Sequence, residues 1–142
     1  MSDRDELLIL LDSGATLPTR VDEDAAGYDL YASEDGSIPP WSRAKFNTGV
    51  HIGMPPGVYG RIAPRSGNAG RGIDVGAGVV DRSYTGPLIV LLCNATDEEY
   101  IVKRGDRIAQ LILEEYRVVP ITCVDTLLET VRGEGGFGSS GR

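Results

Sequence analysis

Arg104-Gly105-Asp106-Arg107-Ile108-Ala109-Gln110-Leu111-Ile112-Leu113 reads as a turn followed by a strand. In an extended segment Ile108, Gln110 and Ile112 share one face, and Ala109, Leu111 and Leu113 share the other. All but one of these side chains are apolar, so both faces are predicted to be covered, as in a strand inside a layered β protein. Gln110 breaks the pattern. A polar amide in such a strand needs a hydrogen-bonding partner, either a neighbouring group or a ligand.

Working outward, the same punctuation recurs along the chain. Short apolar runs occupy Leu7–Leu11, Tyr28–Ala32, Val58–Ile62, Leu88–Leu92, Tyr100–Val102 and Ile121–Val124. Turn residues separate them at Asp12-Ser13-Gly14, Pro39-Pro40, Pro55-Pro56-Gly57 and Thr85-Gly86-Pro87. Many short runs with frequent turn signals predict an all-β sandwich or barrel. Helical periodicity is weak, with short candidates only at Ser66–Arg71, after Pro64, and at Leu127–Val131.

The 142 residues suit one domain, and 41% of them are hydrophobic, enough for a core of ordinary size. With 14 basic and 21 acidic residues the formal charge is −7, which argues against a nucleic-acid or anionic-membrane partner, since both need a basic face. A nucleotide is not excluded, because a triphosphate needs only a few well-placed arginines and a metal ion. Cys93, Cys123 and the single His51 give neither zinc-ligand spacing nor material for a Ser-His-Asp arrangement. Both cysteines lie in apolar runs and are expected to be reduced core thiols. The longest apolar run is too short to span a bilayer, and Asp3, Asp5 and Glu6 give the N-terminus the wrong charge for a targeting segment. A soluble, intracellular protein of cytoplasm or nucleus is expected.

Several segments carry groups suited to chemistry. In Pro64-Arg65-Ser66-Gly67, Arg65 can grip phosphate oxygens, Ser66 offers a hydroxyl, and Gly67 lets backbone N–H groups approach. The stretch from Gly76 to Pro87 reads as a hairpin returning along Leu88–Leu92, with Asp81 placed to orient a water and Tyr84 able to pack on a sugar ring. Asp29 opens a strand in Ala25-Ala26-Gly27-Tyr28-Asp29-Leu30. The final stretch 133–142 is glycine-rich around one aromatic, Phe137, and follows Arg132. Alone it is expected to be mobile, and an aromatic among glycines suits a stacking lid better than a core.

Taken in order, AAGYDLYAS, GRIAPRSG, GAGVVDRSYTG, RGDRIAQLIL and RGEGGFGSSG resemble the conserved motifs of the homotrimeric dUTPase family, from about Leu8 to Gly141. The resemblance implies a jelly-roll-like β fold, a distorted barrel with one short helix, in which 1–131 form a single β domain and 132–142 a lid. It implies hydrolysis of dUTP to dUMP and pyrophosphate with Mg²⁺, in a trimer whose sites are shared between subunits. Asp81 would hold the attacking water, Tyr84 would reject ribonucleotides, and the backbone from Gly78 through Val79 and Val80 to Tyr84 would read uracil. Arg65, Ser66, Gly67 and Gln110 would bind phosphates. Arg132, Phe137, Gly138, Ser139 and Ser140 would close over the nucleotide, and Asp29 would assist Mg²⁺ through water. The chain departs from the family pattern at Asn68, where a Leu is common, at Ser83, where an Asp is common, and at Ser140, where a Thr is common. The related dCTP deaminases carry a Glu three residues before the Asn that closes the return strand. Here that Asn is Asn94 and the Glu position is Leu91, which cannot shuttle protons. A family member kept only as a binding module would be expected to lose Asp81, Arg65 or Phe137, and all three are retained.

Overall fold

A computed structural model describes residues 4–138. The chain forms β1 (Leu8–Leu11), β2 (Tyr28–Tyr31), β3 (Gly36–Ile38), β4 (Arg43–Asn47), β5 (Val50–Gly53) and β6 (Val58–Ala63), then α1 (Ser66–Ala69). After the helix come β7 (Ile73–Val75), β8 (Val79–Val80), β9 (Ile89–Asn94), β10 (Tyr100–Val102) and β11 (Arg107–Glu115). Every strand pairing is antiparallel. The sheets are ordered β2-β11-β6-β8, β4-β9-β7, β1-β5 and β10-β3, a jelly-roll-like arrangement that does not close into one continuous barrel. Among the described residues no helix is long and apolar enough to cross a membrane.

One apolar cluster joins the sheets. Leu30, Ile38, Val50, Met54, Ile73, Leu88, Val90, Leu92, Val102 and Leu111 are almost fully buried in it. In β9 the alternation is clear: Val90, Leu92 and Asn94 face inward and Ile89 outward. Asn94 is tolerated there because its amide is fully used. Nδ2 donates to the carbonyls of Ile38 (3.0 Å) and Glu98 (2.7 Å), and Oδ1 accepts from Thr96 N (3.1 Å) and Oγ1 (2.6 Å).

The quoted strand behaves as its pattern predicts over its first half. Ile108, Ala109 and Leu111 are buried, and an irregularity between Arg107 and Ala109 puts two inward residues in succession. Gln110 finds a neighbour: its Nε2 donates to the Pro64 carbonyl at 3.1 Å. Gly27 makes room for it, since a Cβ there would overlap Gln110 Oε1.

Five expectations are corrected. The strand expected at Ile121–Val124 and the helix at Leu127–Val131 are irregular, exposed chain, because no described strand of this protein lies beside them to pair or pack. For the same reason Cys123 is exposed; only Cys93 is partly buried, and both are free thiols. The helix after Pro64 stops at Ala69, two residues early, where Gly70 and Gly72 follow. Finally, Gly76–Pro87 is not the arm of a simple hairpin with Leu88–Leu92. β9 lies between β4 and β7, and the segment joining β7 to β9 leaves that sheet, so that β8 pairs with β6 in another.

Candidate functional site

That excursion builds a pocket. Val79 and Val80 pair with Arg61 and Gly60 of β6, and Ile62 N donates to the Gly78 carbonyl at 2.7 Å. The approach requires glycine, because a Cβ on Gly78 would lie 2.5 Å from the Ile62 carbonyl oxygen. Since β8 is the outer strand of its sheet, its groups facing away from β6 have no strand partner. Beyond it the chain turns, with Tyr84 N donating to the Asp81 carbonyl at 3.0 Å. The Tyr84 ring packs on Gly86, and its hydroxyl donates to the Pro87 carbonyl at 2.7 Å. Arg82 Nε donates to the Met54 carbonyl at 3.1 Å and ties the turn to the body.

Ile62, Gly78, Val80, Asp81, Tyr84 and Leu88 are among the residues lining a pocket of about 240 Å³. This is below the roughly 300–1,000 Å³ usual for a whole small-molecule site, so it suits part of a nucleotide. A wider depression of about 630 Å³ shares Val79 and Asp81 with it and is lined also by Tyr59, Arg82, Ser83 and Tyr116. Beside it Glu114 of β11 accepts from Tyr59 Oη and Arg61 Nε, both at 2.5 Å. The Tyr59 hydroxyl first, and then Arg61, hold the Glu114 carboxyl below its ordinary range.

The second group of polar side chains lies across β6. Asp29 of β2 stands opposite Gln110 of β11, which stands opposite Ala63 of β6, directly before Pro64-Arg65-Ser66-Gly67. Asp29 is largely buried, with Arg65 Nε and Arg107 Nη1 each 3.6 Å from its carboxylate. Arg65 also reaches the Arg107 carbonyl at 3.4 Å. Ser66 and Gly67 form the exposed first turn of α1, whose N-cap, Arg65, makes no side-chain capping bond. Two guanidiniums around one carboxylate, next to free N–H groups of a helical turn, make a cationic cradle suited to phosphate.

Arg107 was not legible as a site residue. It stands in the quoted strand as an ordinary flanking cation, and only the pairing of β11 with β2 sets it against Asp29. Pocket residues Ile62 and Leu88 read simply as core. The structure brings Gly78, Val79, Val80, Asp81 and Tyr84 together, and separately Asp29, Arg65 and Gln110. It does not bring the two groups into one pocket of the single chain. Arg132, Phe137 and Gly138 touch neither: Arg132 Nε donates to the Gly135 carbonyl at 2.5 Å, and the Phe137 side chain is wholly exposed. Ser139 and Ser140 lie outside the described residues. No group of three or more His, Cys, Asp and Glu side chains suited to a metal occurs among the described residues.

An all-β chain with a main-chain-lined pocket and a separate arginine cradle belongs to the class of jelly-roll-like nucleotide-binding proteins, and comparison with known proteins sharpens that class. The Staphylococcus bacteriophage 80alpha dUTPase, in a structure with dUPNHPP, superposes with a TM-score of 0.90 at 25% identity, covering 98% of this chain and 100% of that one. The deoxyuridine 5'-triphosphate nucleotidohydrolase of Saccharomyces cerevisiae is 49% identical over 99% of this chain and 97% of its own length. That of Paramecium bursaria Chlorella virus 1 is 52% identical over 89% and 91%. The dUTPase family model matches residues 13–141, and the chain belongs to the dUTPase family.

Proposed function

We propose that the protein hydrolyses dUTP to dUMP and pyrophosphate, limiting uracil incorporation into DNA and supplying dUMP for thymidylate synthesis. The observation that carries this is the joint placement of Asp81 and Tyr84 in a pocket walled by the main chain from Gly78 to Val80. The unpartnered edge of β8 offers alternating donors and acceptors to the polar edge of uracil. Tyr84, held by its bond to Pro87, lies under the deoxyribose and leaves no room for a 2′-hydroxyl. Asp81 orients a water and takes its proton as the oxygen attacks the α-phosphorus in line with the departing pyrophosphate. Arg65, Ser66, Gly67 and Gln110 hold the phosphates, and Arg107 belongs with them through its link to Asp29.

The described residues offer no cage for a metal, and the donor chemistry fits Mg²⁺ arriving on the triphosphate. Mg²⁺ keeps several waters and takes phosphate oxygens, adding charge stabilisation for the leaving pyrophosphate. Asp29, already flanked by two arginines, would assist such an ion through water.

The active protein is a homotrimer with sites shared between subunits. The separation of the Asp81 pocket from the Arg65 cradle within one chain supports this, as does the apolar, uncovered stretch from Val118 to Val131. Residues 1–131 act as one domain whose last strand is β11, and 132–142 form a lid that brings Arg132, Phe137, Gly138, Ser139 and Ser140 onto a nucleotide. The test is pyrophosphate release from dUTP against dCTP, dTTP and UTP, with and without Mg²⁺. Selective, Mg²⁺-stimulated release from dUTP is expected, and equal release from UTP would remove the Tyr84 argument.

A further inference from the structure

His51, the one histidine in the chain, has no part in the reaction described above. It stands in β5 opposite Leu10 of β1, partly buried. Its Nδ1 lies 2.8 Å from the Thr85 carbonyl oxygen, and its Nε2 lies 3.0 Å from both carboxylate oxygens of Asp12. A carbonyl and an ionised carboxylate are acceptors only. A neutral imidazole has one N–H and can donate to one of them while turning a lone pair on the other; the imidazolium donates to both.

The contact gathers three parts of the fold. Asp12 belongs to the turn after β1, where its own N–H donates to the Gly49 carbonyl at 2.8 Å. Thr85 lies between Tyr84 and Gly86, the pair whose packing sets the Tyr84 ring. A pull on the Thr85 carbonyl is therefore felt one residue away by the side chain proposed to support the sugar.

We propose that His51, protonated on both nitrogens, is a positioning residue that ties Thr85 to Asp12, holds the turn from Asp81 to Tyr84 ready for the nucleotide, and on losing its proton slackens the hold on substrate. The inference rests on the reading of Asp81 and Tyr84 as nucleotide contacts. Among the described residues Asp12 is the charged group in contact with the ring. The turn after β1 presents Asp12, β5 carries no other ionisable residue, and the loop after Tyr84 presents the Thr85 carbonyl. That carbonyl first, and then Asp12, raise the His51 pKa above its ordinary 6.5. A raised folded value means that the double link is complete below 6.5 and is lost as pH climbs through the raised value.

A single histidine makes the test direct, since its ring protons give one NMR titration. In the intact protein that titration is expected to centre above 6.5 and to move down in Asp12→Asn. The KM for dUTP should rise about three- to tenfold across the same midpoint, the factor one hydrogen bond carries, while kcat holds. In Asp12→Asn the KM rise should follow the NMR midpoint to lower pH, and in His51→Gln it should vanish. Ionisation of the nucleotide itself is common to all three proteins. A ring that titrates at or below 6.5, or identical KM profiles for wild type and His51→Gln, would overturn the proposal. If the wild type released no pyrophosphate from dUTP, the functional reading would fail instead, while the NMR titration would still report on the link.

Discussion

A hydrogen atom in place of a methyl group at position 78 decides whether the pocket exists. Gly78 passes so close to β6 that any side chain would meet the backbone carbonyl of Ile62, which cannot swing aside as a flexible side chain can. Gly78→Ala is expected to lose about 1–3 kcal/mol of stability, the usual cost of overpacking, and to bind nucleotide more weakly. Thermal unfolding and dUMP titration check the two effects. Asp81 makes the opposite case, since its backbone supports the turn while its side chain is exposed and is left to the chemistry. Asp81→Asn keeps the turn and removes the proposed base, so kcat should fall about 10²–10⁴-fold with nucleotide affinity little changed. Single-turnover kinetics beside equilibrium binding separate these quantities, and near-normal turnover would refute the role given to Asp81.

Elements matter here by what they pair with. β8 is two residues long and would have no reason to form alone; it exists because β6 offers a free edge beside the gap left by Gly78. β6 in turn lies between the Asp81 pocket and the group of Arg65 and Asp29, and β11 sets Gln110 against the turn that carries Arg65. Among the described residues the stretch from Val118 to Val131 pairs with no strand, and its apolar side chains are exposed. A chain truncated after Val131 is expected to keep the body and its oligomeric state, because Arg132 bonds within its own turn and the Phe137 side chain lies fully exposed. Its kcat/KM for dUTP should drop at least about 10-fold, as one lost aromatic stacking contact implies. Circular dichroism, light scattering and pyrophosphate release on one preparation decide it; full activity without the tail would end the lid assignment.

At the scale of the whole molecule, the proposed sharing of sites has the two polar groups reach one nucleotide from different copies of the chain. That has a sharp consequence for mixtures. Asp81→Asn and Arg65→Ala should each be nearly inactive, yet unfolded together in equal amounts and refolded they should recover about a quarter of wild-type activity, the share of random two-chain sites with both groups intact. A mixture as dead as its parts would place both groups in one subunit's site. Light scattering should give three times the 15.2 kDa chain mass.

Much of this was legible before any coordinates. The short apolar strand after Arg104-Gly105-Asp106, the turn clusters and the weak helical periodicity led to an all-β chain, because strand and turn preferences are local properties of neighbouring residues. Gln110 was visible as a polar residue in an apolar strand, while Arg65, Asp81 and Tyr84 stood out by the chemistry their side chains could do and by the motifs that resemble the dUTPase family. What only the tertiary structure decided was their grouping. That Arg107 shares Asp29 with Arg65, that Gly78 lies against Ile62, and that His51 spans Asp12 and Thr85 depends on strand register between distant segments. Register follows from how all the inward faces pack at once, which no single stretch of sequence contains.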